Sequence, residues 1–440
     1  MTAQRGLGNF ASIVAGNFLN KAVSIVVLSY LTWHLGPSGF GRYSFVVAYM
    51  TFFGIFTDMG VNTVTVRAIS RGAVDRSEAF GAAIVLRLVL TVAALAASFA
   101  ALRLSGYGRD VLVTALAAAP ALFVSFRGLF FRNVFEIPFL ADLRMDRPAL
   151  VNFANELLVL AVVVVMVTRG AGLVELLVAI NIAYVPGFAV MAISAVRRMR
   201  PRFALKAGPC WRLLKESAPL GLSGLLEGVF IITPVLVLSR LATPASLGLF
   251  TLPLRLVSSL WIIPVAVMVT MLPAMSRDAG RDRAALRRRL TAGLGFMVPA
   301  GFVLALAASL FSDEIIILLS GEAFARSSTV LSIMAWGTFL YFVNSVFFYT
   351  FAAAGRELFG LLPWCAATAA SFILGLIFIP RFAHLGAGWA FTISMAAGLA
   401  VNLALIGRVF GATLHGVFSG GSKASGGGPR LALRATKEEK

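Results

Sequence analysis

Leu35-Gly36-Pro37-Ser38-Gly39-Phe40-Gly41-Arg42-Tyr43-Ser44 joins two long apolar stretches, and a degraded copy returns later as Ala242-Thr243-Pro244-Ala245-Ser246-Leu247-Gly248-Leu249-Phe250-Thr251. Pro37 falls on Pro244, Gly41 on Gly248 and Tyr43 on Phe250, a shift of 207 residues. The correspondence continues past the motif. Ser70-Arg71 recurs as Ser276-Arg277, while Arg144 and Arg169 match Arg356 and Arg381 at a shift of 212. A repeat of this length between apolar segments predicts two homologous helical bundles facing one another, an arrangement that builds a central cavity in secondary transporters.

The surrounding composition fixes the medium. Of the 440 residues 59% are hydrophobic and 13% charged, whereas a soluble domain carries about 25% charged residues. The chain is therefore expected to be membrane-embedded. Its net charge of +19 would suit nucleic acid if it were clustered, but the cations lie in short loops between apolar runs, so no nucleic-acid partner is expected. Cys210 and Cys365 are too few for a disulfide framework. The N-terminus has no short apolar core followed by a small-residue cleavage site, so the first span should be retained.

Runs of roughly 20 apolar residues predict twelve spans. They cover roughly 10–33, 43–66, 79–102, 111–136, 149–168 and 172–196, then roughly 214–239, 247–274, 290–311, 327–352, 358–380 and 385–408. Connections after even-numbered spans hold most of the Arg and Lys, including Arg67, Arg71, Arg76, Arg144, Arg147, Arg197–Arg198, Arg277–Arg289 and Arg356. Those after odd-numbered spans hold few, among them Arg42, Arg103, Arg109, Arg169, Arg240 and Arg326. The bias places both termini in the cytoplasm. Fold class is thus all-α integral membrane, with two six-helix lobes at 1–196 and 214–410, a basic linker at 197–213 lying near anionic lipid, and a Gly/Ser-rich disordered tail at 411–440.

Several weak motifs stand in fixed order: Leu35-Gly36-Pro37 with Gly39-Phe40-Gly41, Thr57-Asp58-Met59-Gly60 with Val66-Arg67, and Leu319-Ser320-Gly321-Glu322-Ala323-Phe324. Ala354-Gly355-Arg356 and Ile379-Pro380-Arg381 with Leu385-Gly386-Ala387 complete the set. Together these resemble the polysaccharide transporter branch of the MOP superfamily, the Wzx-type oligosaccharide-lipid flippases, over roughly residues 8–408. Arg144-Met145-Asp146-Arg147-Pro148 matches more loosely and adds a proline. The resemblance implies a MATE-like fold with a cavity lined by spans one, two, seven and eight. It further implies transfer of an undecaprenyl-diphosphate-linked oligosaccharide to the periplasmic leaflet of a bacterial inner membrane, for O-antigen, capsule or exopolysaccharide export. A polymerase and export machinery would be its partners.

Ionisable residues inside the spans carry the independent chemical reading, because each costs at least about 2.5–3.5 kcal/mol to insert. The cations are Lys21, Arg87, Arg127, Arg132 and Arg255, and the anions Asp58, Glu136, Glu156 and Glu227. Arginine offers two-point hydrogen bonding to phosphate oxygens. Lys21 and Arg255 are therefore the first candidates for a diphosphate, with Arg87 and Arg127 behind them. The repeat aligns Lys21 with the neighbour of Glu227, so the two are expected to pair across the cavity, as a gating or a purely structural contact. Arg127 and Arg132, five positions apart on a regular helix, should face different directions, with Arg132 pairing Glu136 at i, i+4. Glu156 lacks a cation in its own span and, like Glu227 and Asp58, is a candidate for coupling or gating; Asp58 could equally cap a local break or pair with a nearby Arg. No cofactor is called for, only proton or sodium coupling. Pro219, Pro234, Pro253, Pro264 and Pro299 could kink helices.

Two other classes remain open. A multidrug exporter of the same superfamily would favour an aromatic, acidic cavity for lipophilic cations. A membrane polysaccharide polymerase would need a large outer loop with catalytic groups, whereas His34, His384 and His415 are scattered and the longest outer connection is short. There is no G-x-x-x-x-G-K-[ST] phosphate loop.

Overall fold

The computed structural model describes residues 2–203 and 207–410, with most side chains from Leu19 onward. The tail expected from 411 and Lys206 of the linker lie outside the described residues. The first half contains α1 (Thr2–Asp58), α2 (Val61–Ser70), α3 (Arg76–Leu104), α4 (Arg109–Ala118), α5 (Ala121–Val124), α6 (Ile137–Ala141), α7 (Asp146–Thr168) and α8 (Leu173–Arg198). The second contains α9 (Ala207–Leu241), α10 (Pro244–Leu260), α11 (Ile262–Ala279), α12 (Arg283–Leu310), α13 (Ser312–Ser320), α14 (Ser327–Ala353) and α15 (Glu357–Phe410). Two 3-10 turns, Phe131–Glu136 and Glu322–Phe324, complete the regular structure, and no strand occurs among the described residues.

Nine described segments are long and apolar enough to cross a membrane, so the chain is a multi-pass membrane protein. Two of them, Leu19–Ser70 and Leu358–Phe410, run for 52 and 53 residues, where one crossing needs about 20. Each is interrupted. The first breaks at Gly36, whose φ of 59° is open to glycine and costly for other residues, directly before Pro37. The second breaks at Ala383, shortly after Pro380, and there α15 doubles back. A Cβ built at Gly386 would strike the Phe378 carbonyl, and one at Gly398 would lie 3.3 Å from the Pro363 carbonyl oxygen.

The connections gather at two ends. At one end the Tyr107 hydroxyl, between α3 and α4, lies 2.9 Å from Ser239 Oγ near the end of α9, and His34 Nε2 lies 2.7 Å from the Ala171 carbonyl oxygen. At the other end the Arg202 amide donates to the Ser77 carbonyl at 2.9 Å, and Asp142 receives both Arg76 and Arg198.

The two motif copies touch one another. A Cβ at Gly41 would run into the Pro244 carbonyl and come within 2.9 Å of the Gly248 amide nitrogen; one at Gly248 would run into the Pro37 carbonyl, 3.1 Å from the Gly41 nitrogen. Each copy thus offers a proline carbonyl and, four residues on, a side-chain-free Cα on the same helix face. That pair is self-complementary under a twofold rotation, as in an isologous interface. Small residues permit such backbone approach inside membranes. A third motif seats itself here: Phe324 stacks edge-on against Phe40 at 5.9 Å, and Thr32 Oγ1 donates to Ser320 Oγ at 3.0 Å.

One predicted span is not a regular helix. The stretch expected as a single helix over roughly 111–136 divides into α4, the short α5 and a 3-10 turn, with Ser125 and Phe130 extended between them. Pro120, Ser125 and Gly128 supply the interruption, and side chains satisfy the released carbonyls. Asn133 Nδ2 donates to Gly128 O at 2.7 Å, and Arg87 donates to the carbonyls of Leu129 and Phe130 at 2.8 and 2.6 Å. Irregular backbone at membrane depth is tolerated only with such internal partners.

Candidate functional site

The in-span charges fall into three groups. The first is built on Arg87, which is fully buried. Besides the Leu129 and Phe130 carbonyls, it donates to Thr57 O at 3.1 Å and Asn62 Oδ1 at 2.9 Å, and Asp58 Oδ1 lies 3.6 Å away. Asp58 also accepts the Asn62 amide at 3.2 Å, at the start of α2. The guanidinium therefore ties the end of α1 to the broken stretch below α5.

The second group lies around Glu156. The break rotates Arg127 and Arg132 away from regular helical geometry, so the expectation that they face different walls does not hold. Asn152 and Glu156 stand i, i+4 on one face of α7. Arg127 grips the Glu156 carboxylate with two nitrogens, and Arg132 donates to Asn152 Oδ1 at 2.7 Å and to the Gly187 carbonyl at 3.3 Å. Glu156, expected to lack a cation, is in fact ion-paired, and the partner comes from a different segment. The i, i+4 pair of Arg132 with Glu136 is replaced by a bridge, because Asn152 Nδ2 donates to Glu136 Oε1 at 3.3 Å.

Lys21 belongs here too. Its exposed ammonium lies within electrostatic reach of Arg127, Arg255 and Glu156, and Glu227 is not among its neighbours. The expected Lys21–Glu227 pair is not formed, because Lys21 faces the broken stretch and Glu227 turns into the second half. Arg255 on α10 reaches across to the repeat motif, its guanidinium 5.6 Å from the Phe40 ring centre and 5.1 Å from that of Tyr43. Neither Lys21 nor Arg255 has an ion-pair partner among the described residues. Lys21 and Arg255 thus carry positive charge near the Arg127–Glu156 pair without an ion-pair partner of their own. Unpaired Lys and Arg side chains suit a phosphate-bearing anion.

The third group is Glu227 alone. It lines a cavity of about 260 Å³ within the second half, with Tyr341, Asn344, Tyr349, Trp364 and Asn402 around it. Asn402 Nδ2 donates to Asn344 Oδ1 at 2.7 Å, and Asn402 Oδ1 has no hydrogen-bond partner among the described residues. No cation pairs with Glu227 among those residues. Sequence reasoning missed this cavity and the aromatic seat of Arg255. Phe40 and Tyr43 were visible inside the repeat motif, but they read there as turn residues.

With this geometry in hand, likeness to known proteins can be placed. A family model described as polysaccharide biosynthesis protein matches residues 7–278. No curated protein matches the sequence. Among solved structures, the lipid II flippase MurJ in an inward closed conformation is similar with a TM-score of 0.72 and 14% identity, covering 92% of this chain and 89% of that one. An inward-facing multidrug resistance MATE family transporter of the MOP superfamily gives 0.73 at 17% identity, covering 89% and 94%. A MOP superfamily transporter from Pyrococcus furiosus, whose binding pocket is described as having reversed polarity, gives 0.62 at 15% identity, covering 91% and 95%. At these identities the likeness establishes a shared fold.

Proposed function

Because the chain belongs to the polysaccharide biosynthesis protein family, we propose that it is a flippase carrying undecaprenyl-diphosphate-linked oligosaccharide from the cytoplasmic to the periplasmic leaflet. The observation that carries this reading is the uncompensated positive charge of Lys21 and Arg255 near the Arg127–Glu156 pair. A diphosphate would engage those two cations while the polyprenyl tail stays in lipid. Arg87 and Asp58, bonded to one another and to backbone, serve as framework. The protein is not an enzyme and needs no cofactor.

Twelve crossings in two lobes support alternating access. Two of the nine apolar segments are long enough for two crossings each, and the broken stretch from α4 to α6 supplies the remaining one. The Arg and Lys bias supports a non-cytoplasmic position for the Pro37 and Pro244 turns, which in a bacterial inner membrane is the periplasmic side, and the described conformation is then closed outward. The glycan would go on to O-antigen, capsule or exopolysaccharide, with polymerase and export machinery downstream. Glu227 is the better candidate for proton or sodium coupling, since Glu156 is held by Arg127.

Lys21→Ala combined with Arg255→Ala tests the site without stranding a buried partner. Surface polysaccharide should fall at least about tenfold, the equivalent of about 1.4 kcal/mol, with unchanged protein level. Wild-type export by that double variant would remove the reading. One observation favours a second reading. The acidic, aromatic cavity at Glu227 suits a lipophilic cation. Glu227→Gln would then abolish resistance to such compounds while leaving surface polysaccharide intact.

A further inference from the structure

A second cavity, of about 670 Å³, opens at the end where the Pro37 and Pro244 turns lie. Its volume is within the roughly 300–1,000 Å³ range of small-molecule sites. Its wall includes Arg42 from α1, Tyr107, Arg109 and Asp110 from the start of α4, Glu175 from α8 and Ser239 from α9. Both halves of the molecule therefore contribute. The wall is built. Arg240 stacks over Tyr107 at 3.6 Å from the ring centre and bonds the Ser105 carbonyl, while Ser239 holds the Tyr107 hydroxyl.

The charges are the informative part. Arg42, Arg109, Asp110 and Glu175 form no ion pair among the described residues, although both signs line one cavity. Glu175 accepts only the Gly172 amide, at 3.0 Å, through one oxygen. Opposite charges kept apart in a shared cavity present donors and acceptors together, and a ligand displacing their water must satisfy both. A lipophilic cation satisfies one sign and a simple phosphate the other. A polyhydroxylated glycan satisfies both, since every hydroxyl donates and accepts.

We propose that this vestibule is an exit-side subsite for the glycan portion of the lipid-linked substrate, separate from the Lys21–Arg255 site that faces the diphosphate. It rests on the flippase reading and adds a place where the sugar is held as it leaves. Val113, exposed and lining the cavity, is the reporter. Val113→Cys is made in a Cys210→Ser, Cys365→Ser background and labelled with a membrane-impermeant maleimide in spheroplasts. Cells that make the lipid-linked glycan are compared with cells lacking the sugar-phosphate transferase that starts it. Labelling should slow severalfold when glycan is present, and Arg109→Ala with Asp110→Asn should restore the fast rate. Leu104→Cys, exposed and outside the cavity, should label equally in both cells. Equal labelling of Val113→Cys in both cells, while export proceeds, overturns the subsite and leaves the flippase standing. Equal slowing at Leu104→Cys also overturns it, as general shielding. Failure of the flippase reading shows separately, as normal surface polysaccharide in cells lacking this chain and any paralogue.

Discussion

A guanidinium shut away from water and lipid must find its acceptors in the protein, and Arg87 finds them on Thr57, Asn62, Leu129 and Phe130. Removing it would strand Asp58 and two carbonyls of the broken stretch. Breaking a buried charge network by deleting one partner costs about 3–5 kcal/mol. Arg87→Met should therefore cut the amount of folded protein and lower its melting temperature in detergent, with Arg87→Lys intermediate; an unchanged melting temperature would contradict the framework role. Asp142, outside the membrane spans, behaves differently. Burial works to raise its carboxyl pKa, but hydrogen bonds from Arg76 and Arg198 outweigh it and hold the group below the usual carboxylate range. A carboxylate depressed on folding stabilises above its unfolded value of about 3.9, and that contribution is lost as pH falls through the lower folded value. Asp142→Asn should lower the melting temperature at pH 7, and the gap from wild type should close on acidification below about 4. Which charges lie inside spans was legible from sequence, because hydropathy marks them directly. Their partners were not. The pairing of Arg127 with Glu156 depends on a backbone break whose geometry no periodicity reports.

At the level of elements, the instructive contrast lies between the repeat motif and the fourth predicted span. The motif encodes its own contact: proline and glycine four apart place an acceptor and an open Cα on one face, so recognising the repeat already implied a symmetric junction. The span from 111 to 136 reads as largely apolar apart from Arg127, Arg132, Asn133 and Glu136, and hydropathy alone does not separate a continuous helix from one interrupted at Ser125. Pro120 and Gly128 were breaker signals, and the arginines another, since charges at membrane depth favour irregular segments with carbonyls to satisfy. The motif carries a prediction of its own. A methyl group at Gly41 meets backbone, which cannot rotate aside. Gly41→Ala should hold the turn within α1 and the start of α10 apart, read as a longer spin-label distance across that end and as reduced export. An unaltered distance distribution would mean that the seam yields elsewhere.

Across the whole molecule, the in-span carboxylates at Glu156 and Glu227 stand in different surroundings. The first half holds the ion-paired Glu156 beside Lys21; the second holds Glu227 in an aromatic cavity. Symmetry read from the sequence suggested that Lys21 and Glu227 oppose one another, but Lys21 lies near Glu156 and its Arg127 partner, while Glu227 lines the cavity of the second half. Closure at the outer end also depends on contacts absent from the repeat, those of Arg240 with Tyr107 and Ser105. Arg240→Ala with Tyr107→Phe should raise the reactivity of an introduced Val113→Cys in the resting protein without lowering its amount. If reactivity stays the same, the glycine seam alone closes the molecule.

The Pro37–Gly248 and Pro244–Gly41 contacts sit on either side of one local axis. The two contacts are close approaches of the same kind, glycine Cα against proline carbonyl, so the seam is shut only when both are made. Closing there needs both approaches at once. Alanine at Gly248 should then hold the seam apart as much as alanine at Gly41, however far the two flanking sequences have drifted.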